Sequence, residues 1–186
     1  MSKFTIPSHF KELYSKEDIA KEIARLGTEL KPWITKAHEE TKKEVIAICM
    51  LRGALFFFAD LLREVGESVE IEFCKLNTYD TETNSKLPEN KIPNLVLPCD
   101  VNGRAILLVD DICETGHLLH LITETLKSAG ASEIKTAVMI YRDTPESLFT
   151  PDYQCFNLGT MEWTVGMGLD DKGSWRNLPF VCIMNS

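Results

Sequence analysis

The sequence predicts an α/β fold: one domain built on a central, mostly parallel sheet flanked by helices. Three observations predict it. Short β-branched, apolar runs suited to burial on both faces, Val45–Met50 and Ala105–Val109, alternate with amphipathic helical stretches. Glycines at 53, 66 and 130 punctuate that alternation. At 186 residues the chain supports one good hydrophobic core and is too short for two comfortable domains.

Taken in order, Ser15 followed by Glu17, Asp18, Ile19, Ile23, Leu26 and Leu30 predicts a capped amphipathic helix that ends near Pro32. Glu44 leads into Val45–Met50, a central strand, which Gly53 breaks. Ala54–Val65 reads as a helix stopped by Gly66. Val69-Glu70-Ile71-Glu72-Phe73 alternates at period two, a strand with one wetter face. Asn77–Pro98 is polar, carries Pro88, Pro93 and Pro98, and has no sustained pattern. Long loops in compact domains are functional or mobile, a tolerated surface insertion being the alternative. After a turn at Asp100–Gly103 comes the strongest strand, Ala105–Val109, then a loop and a helix marked by Leu118, Leu119, Leu121, Ile122 and Leu126. Thr136–Tyr141 and Gln154–Leu158 add strands, and Phe180–Met184 is expected to close the sheet.

Apolar residues make up 44% of the chain and charged residues 26%, an ordinary globular balance. The formal charge of −8 argues against nucleic acid as a partner, since such binding depends on clustered Lys and Arg. The six cysteines form no C-x-x-C pair and no zinc spacing, so a reducing, cytoplasmic setting is expected. No apolar core of signal-peptide length opens the chain, and apolar stretches such as Ala54–Ala59 and Val45–Leu51 are far too short for a bilayer; no membrane role is expected.

Chemistry concentrates at Asp110-Asp111-Ile112-Cys113-Glu114-Thr115-Gly116-His117-Leu118. In open parallel sheets, ligands sit beyond the carboxyl ends of strands. The end of this segment leads into a helix N-terminus, whose free N–H groups favour a phosphate. Gly116 permits close backbone approach, and Thr115 offers a hydroxyl. The acidic pair would repel that phosphate, so it suits sugar hydroxyls or an oxygen-loving Mg²⁺. The segment is therefore expected to bind a phosphorylated sugar. Plain capping of the strand end by Asp110 and Asp111 is the structural alternative.

These residues carry a resemblance. Ala105–Leu118 resembles the phosphoribosyl pyrophosphate signature of the purine phosphoribosyltransferases, and the surrounding chain is similar to the hypoxanthine-guanine branch of that family. The supporting stretches, in order, are Met50–Gly53 with Phe57–Leu62, Thr78-Tyr79, Arg142–Pro145, Pro151–Tyr153, Val165–Asp170 and Trp175–Pro179. The resemblance implies a type I phosphoribosyltransferase-like fold in a single domain over 1–186. A small hood would come from about 150–186 with the N-terminus, and a flexible lid from about 77–98. It implies purine salvage: N9 of hypoxanthine or guanine (and xanthine as a further candidate) displaces pyrophosphate from phosphoribosyl pyrophosphate, giving IMP or GMP.

The resemblance also implies roles. Asp110 and Asp111 would hold the ribose hydroxyls directly or through Mg²⁺, and Glu114 would be the general base near purine N7. The backbone of Glu114, Thr115, Gly116, His117 and Leu118, following Ile112 and Cys113, would cradle the 5′-phosphate. Arg52 and Gly53 would bind pyrophosphate at a Leu51–Arg52 peptide that is typically cis. Arg142 would donate to the 6-oxo group, Trp163 would stack on the base, and the Thr164 backbone would read the ring edge. Asp170 would ligate a second Mg²⁺, Arg176 would contact pyrophosphate, and Thr78 and Tyr79 would sit on the lid. A homodimer or homotetramer is implied as well. For Trp163 a core position is the alternative, and for Arg52 a solvated surface charge.

The sequence departs from the family pattern at several points. Glu114 stands where Asp is usual, Leu118 where a hydroxyl residue is usual, and His117 and Arg142 where Lys is usual. One residue is inserted between Phe156 and Trp163. These departures admit a second class, a non-catalytic regulator of the same fold that binds phosphoribosyl pyrophosphate or nucleotides.

Overall fold

The computed structural model describes residues 4–75, 97–145 and 147–184. Its frame is a five-stranded sheet in the order β3-β2-β4-β5-β6, all neighbours parallel. The strands are β2 (Val45–Leu51), β3 (Val69–Lys75), β4 (Ala105–Cys113), β5 (Glu133–Tyr141) and β6 (Tyr153–Asn157). Helices α1 (Lys16–Thr41), α2 (Leu55–Val65) and α3 (His117–Ser128) flank it. Val45 through Cys49 and Ala105 through Val109 are almost completely buried, as strands covered on both faces must be.

Helix α1 opens on a capping box: the Asp18 N–H donates to Ser15 Oγ at 3.1 Å, and the Ser15 N–H donates to Asp18 Oδ2 at 3.0 Å. It does not end near Pro32. The helix runs through the proline to Thr41, because its apolar face continues through the buried Ile34 and Ala37. Burying those side chains offsets an interior proline, which costs about 3 kcal/mol. Helix α2 ends where expected, with Gly66 at φ 65°.

Phe180–Met184 does not close the large sheet. Its β8 (Val181–Met184) lies between β1 (Phe10–Tyr14) and β7 (Thr164–Val165) in a separate antiparallel sheet. The 150–186 stretch thus divides, β6 joining the large sheet and β7 and β8 the small one. A second apolar cluster, with Phe10, Val165, Leu178, Phe180 and Cys182 buried, explains the preference: only there do Phe180 and Cys182 find partners from the N-terminal segment. Tyr14 stacks on Phe156 with ring centroids 3.8 Å apart and ties the two sheets together.

Candidate active site

Strand β4 carries the centre. The acidic pair does not lie in a loop: β4 continues through Asp110 and Asp111 to Cys113, since β5 accompanies it as far as the Cys113–Tyr141 pair. Although successive strand residues tend to opposite faces, these two carboxyl groups stay within hydrogen-bonding reach of one another. Asp110 is only 8% exposed, and its Oδ1 accepts the Asp111 N–H at 2.9 Å. Burial pushes its carboxyl well above the usual range, and the charge of Asp111 adds to that. Burial also raises Asp111, against hydrogen bonds from its surroundings and the charge of Arg176 that lower it.

The connection to α3 is then only Glu114, Thr115 and Gly116. Gly116 takes the N-cap position at φ 71° and has no side chain to cap the helix; Thr115 Oγ1 accepts the His117 N–H at a long 3.5 Å, and no acidic residue stands in the first turn. First-turn N–H groups have no helical acceptor, and here they meet the positive end of the helix dipole. The turn is backed by the segment after β5, where the Leu148 N–H donates to the Thr115 carbonyl at 2.8 Å. Cys113, buried at the strand end, lies 3.7 Å from the Phe149 carbonyl through its Sγ. Ile112 and Leu118 are half-buried beside this turn.

Beside it, the end of β2 makes a cis Leu51–Arg52 peptide, as the resemblance implied, and Arg52 is exposed. Gly53 packs on Asp111 so closely that a Cβ there would lie 1.6 Å from Asp111 Oδ2. Gly168, at φ 104°, in turn abuts the Gly53 carbonyl; its own Cβ would fall 1.7 Å from that oxygen. Arg176 completes the cluster. It donates through Nη1 to the Gly168 carbonyl at 2.6 Å and pairs through Nη2 with Asp170 Oδ1 at 2.5 Å. Asp170 also accepts the Gly173 N–H at 2.6 Å.

Trp163 is 53% exposed, so it is not a core residue; its Nε1–H donates to the Asp170 carbonyl at 2.8 Å. Thr164 is buried in β7 opposite Ile183. Arg142 is 2% exposed, lies at the end of β5, and donates to the carbonyls of Thr160 and Glu162, with its Nε 3.3 Å from Glu114 Oε1.

The structure therefore brings Gly53, Asp111, Gly168, Asp170, Arg176 and Trp163 into one contiguous chain of contacts, and links Glu114 to Arg142. Thr78 and Tyr79 lie outside the described residues. Sequence reasoning missed the structural part of Gly168: the quoted Val165–Asp170 stretch contains it, but nothing local announces contact with Gly53.

An open parallel sheet with carboxylates and an uncapped helix start at the carboxyl end of its middle strand belongs to the α/β class that takes ligands at that edge. Within that class, the chain belongs to the phosphoribosyl transferase domain family, which it matches over residues 12–172. It is 35% identical over 177 residues to a hypoxanthine-guanine phosphoribosyltransferase of Streptococcus pyogenes, covering 94% of this chain and 92% of that one. A Streptococcus thermophilus protein of the same name is 32% identical over the same shares. Among solved structures, a hypoxanthine phosphoribosyltransferase from Staphylococcus aureus superposes with a TM-score of 0.80 at 24% identity, covering 94% of this chain and 91% of that one. Among the described residues, no helix is long and apolar enough to cross a membrane.

Proposed function

We propose that the chain is a purine-salvage transferase that joins the 5-phosphoribosyl group of phosphoribosyl pyrophosphate to N9 of hypoxanthine or guanine, releasing pyrophosphate. The observation that carries this reading is the juxtaposition on β4 and α3: the carboxylates of Asp110 and Asp111 near the strand end for a ribose diol, with only residues 114–116 between the end of β4 and the start of α3 for its 5′-phosphate. Residues 114–118 hold the phosphate through backbone N–H groups, Thr115 adding its hydroxyl, so the missing hydroxyl at Leu118 is tolerable. Arg52, Gly53 and Arg176 face the leaving pyrophosphate, and Trp163 offers an exposed indole face to the base. Similarity to curated hypoxanthine-guanine phosphoribosyltransferases over nearly the whole chain supports the same substrates, as does the Trypanosoma cruzi hypoxanthine phosphoribosyltransferase solved with IMP, TM-score 0.79 at 19% identity.

In the reaction, N9 bonds to C1′ as the C1′–oxygen bond to pyrophosphate breaks, and Glu114 takes the proton from N7. Its carboxylate is partly open to solvent and held near Arg142 at 3.3 Å, which keeps it at the mouth of the site. Arg176, braced by Asp170 and the Gly168 carbonyl, is set to meet charge that develops on the departing oxygen.

Mg²⁺ belongs to this reading, and the donor chemistry fits it. Asp110, Asp111 and Asp170 are hard oxygen donors, and among the described residues no three His, Cys, Asp or Glu side chains form a cage. Mg²⁺ is commonly held by one or two carboxylates together with substrate phosphates, and these aspartates are donors of that kind. When bound, the ion supplies charge neutralisation on the diphosphate. Self-association into a dimer or tetramer is part of the same proposal, supported by the exposed apolar side chains Leu55 and Phe56 on α2 and Ile71 and Phe73 on β3.

The test is a coupled assay with phosphoribosyl pyrophosphate, Mg²⁺ and each of hypoxanthine, guanine, xanthine and adenine. IMP and GMP formation with stoichiometric pyrophosphate is expected. Tight binding of phosphoribosyl pyrophosphate with no turnover of any base would instead favour the regulator.

A further inference from the structure

We propose that Arg142 is a positioning residue that clamps the backbone ahead of Trp163, and does not itself contact the purine. This inference rests on the base lying against Trp163, as in the reading above. The guanidinium donates through Nη2 to the Glu162 carbonyl at 2.7 Å and through Nη1 to the Thr160 carbonyl. Its own backbone N–H donates to the Cys113 carbonyl at 2.8 Å, so the clamp is anchored on the end of β4. A planar fork can span two carbonyls two residues apart, which a compact ammonium does poorly.

The order of burial fixes what a ligand can reach. Arg142 has a side chain only 2% exposed, while that of Glu114, on its Nε side, is 39% exposed. Glu114 is therefore the more accessible partner of the two, and the guanidinium is almost sealed from solvent. Among the described residues Nε makes no hydrogen bond, so the attraction to Glu114 at 3.3 Å acts as charge and not as a directional contact. Downstream, the Trp163 carbonyl accepts the Met184 N–H at 3.0 Å, and the indole N–H holds the Asp170 carbonyl. Trp163 is thus fixed on three sides: by the Arg142 clamp before it, by β8 after it, and by the Asp170 carbonyl at the N–H edge of its ring. A donor to the purine's 6-oxo group must come from elsewhere, and the clamp decides where that backbone lies.

The experiment measures KM for hypoxanthine, KM for phosphoribosyl pyrophosphate, and the inhibition constant of unsubstituted purine, which lacks the 6-oxo oxygen, in the wild type and Arg142→Lys. A positioning role raises the hypoxanthine KM and the purine inhibition constant by the same factor, about ten-fold, with the phosphoribosyl pyrophosphate KM held within about two-fold. A rise confined to hypoxanthine, or no change in either, overturns the proposal. If Arg142→Lys does not fold, a crystal structure of the wild type with IMP decides. The clamp to Thr160 and Glu162 intact, with no guanidinium nitrogen within about 3.5 Å of O6, is expected. IMP on Trp163 with a guanidinium nitrogen bonded to O6 overturns this proposal alone. IMP bound away from Trp163 overturns the functional reading and this proposal together.

Discussion

Gly53→Ala should destroy activity while leaving the fold standing. The Cβ it introduces would lie 1.6 Å from Asp111 Oδ2 and 2.4 Å from Cγ. An ordinary carbon–oxygen contact needs about twice the first distance, so the carboxylate must retreat by roughly 1.5 Å. The residue clashed with is the tip of a side chain, and Gly53 does not have a positive φ, so the backbone accepts alanine. Stability should therefore change by less than about 1 kcal/mol. Catalysis is less forgiving, because misplacing a substrate-holding group by ~1 Å costs about 100-fold, or ~2.7 kcal/mol in the barrier. IMP formation followed spectrophotometrically, beside a thermal melt, reads both quantities. A variant within about three-fold of wild-type kcat/KM would show that Asp111 need not sit where Gly53 allows it, and the account of the diol site would fail.

Gly168→Ala should behave differently. Its Cβ would meet the rigid Gly53 carbonyl oxygen at 1.7 Å, from a φ of 104°, so Tm and activity should fall together, the strain alone costing about 1–3 kcal/mol; a normal melt would contradict this. Trp163→Ala should raise the KM for purine by about ten-fold or more with Tm unchanged, because the ring is exposed; isothermal titration with IMP checks the affinity. Glu114→Ala should cut kcat by about 100-fold or more with the KM for phosphoribosyl pyrophosphate little altered, and an unchanged kcat would remove it as the base. Burial pushes the thiols of Cys49, Cys113 and Cys155 to about 12 and that of Cys182 to about 11. They stay protonated at pH 8, so a thiol reagent should leave all four unmodified in the folded enzyme and titrate all six cysteines only after denaturation.

How much of this was legible beforehand follows from the range of each interaction. The buried strands at Val45 and Ala105, the capped start of α1 at Ser15 and the stop at Gly66 depend on side chains a few residues apart, so their pattern is local. The end of α1 was not local: Pro32 signals a stop, and only packing of Ile34 and Ala37 overrules it. The length of β4 depends on β5 as a partner up to Tyr141, which no reading of Ala105–Val109 contains. Strand β1, Phe-Lys-Glu-Leu-Tyr, does not alternate, the two-residue β7 is too short to carry a period, and β8 chose the small sheet because the N-terminal strand β1 was there to pair with it.

At the site, the residues themselves were readable because the family motif brings their identities in order. Their interlocking was not. The contacts of Gly53 with Asp111 and with Gly168 join segments distant in sequence. The alternative of Trp163 as a core residue was reasonable for an aromatic, and only its exposure decides against it. Arg142 is the instructive case. Its identity suggests a donor to ligand, while two of its nitrogens donate to the Thr160 and Glu162 carbonyls, contacts that no local pattern announces.

A crystal structure with ribose 5-phosphate bears most directly on the account. The phosphate should lie on the N–H groups of residues 115–118, with the 2′- and 3′-hydroxyls within hydrogen-bonding reach of Asp110 and Asp111 or bridged to them through Mg²⁺. A phosphate lodged away from the start of α3, with those carboxylates untouched by sugar or metal, would contradict it.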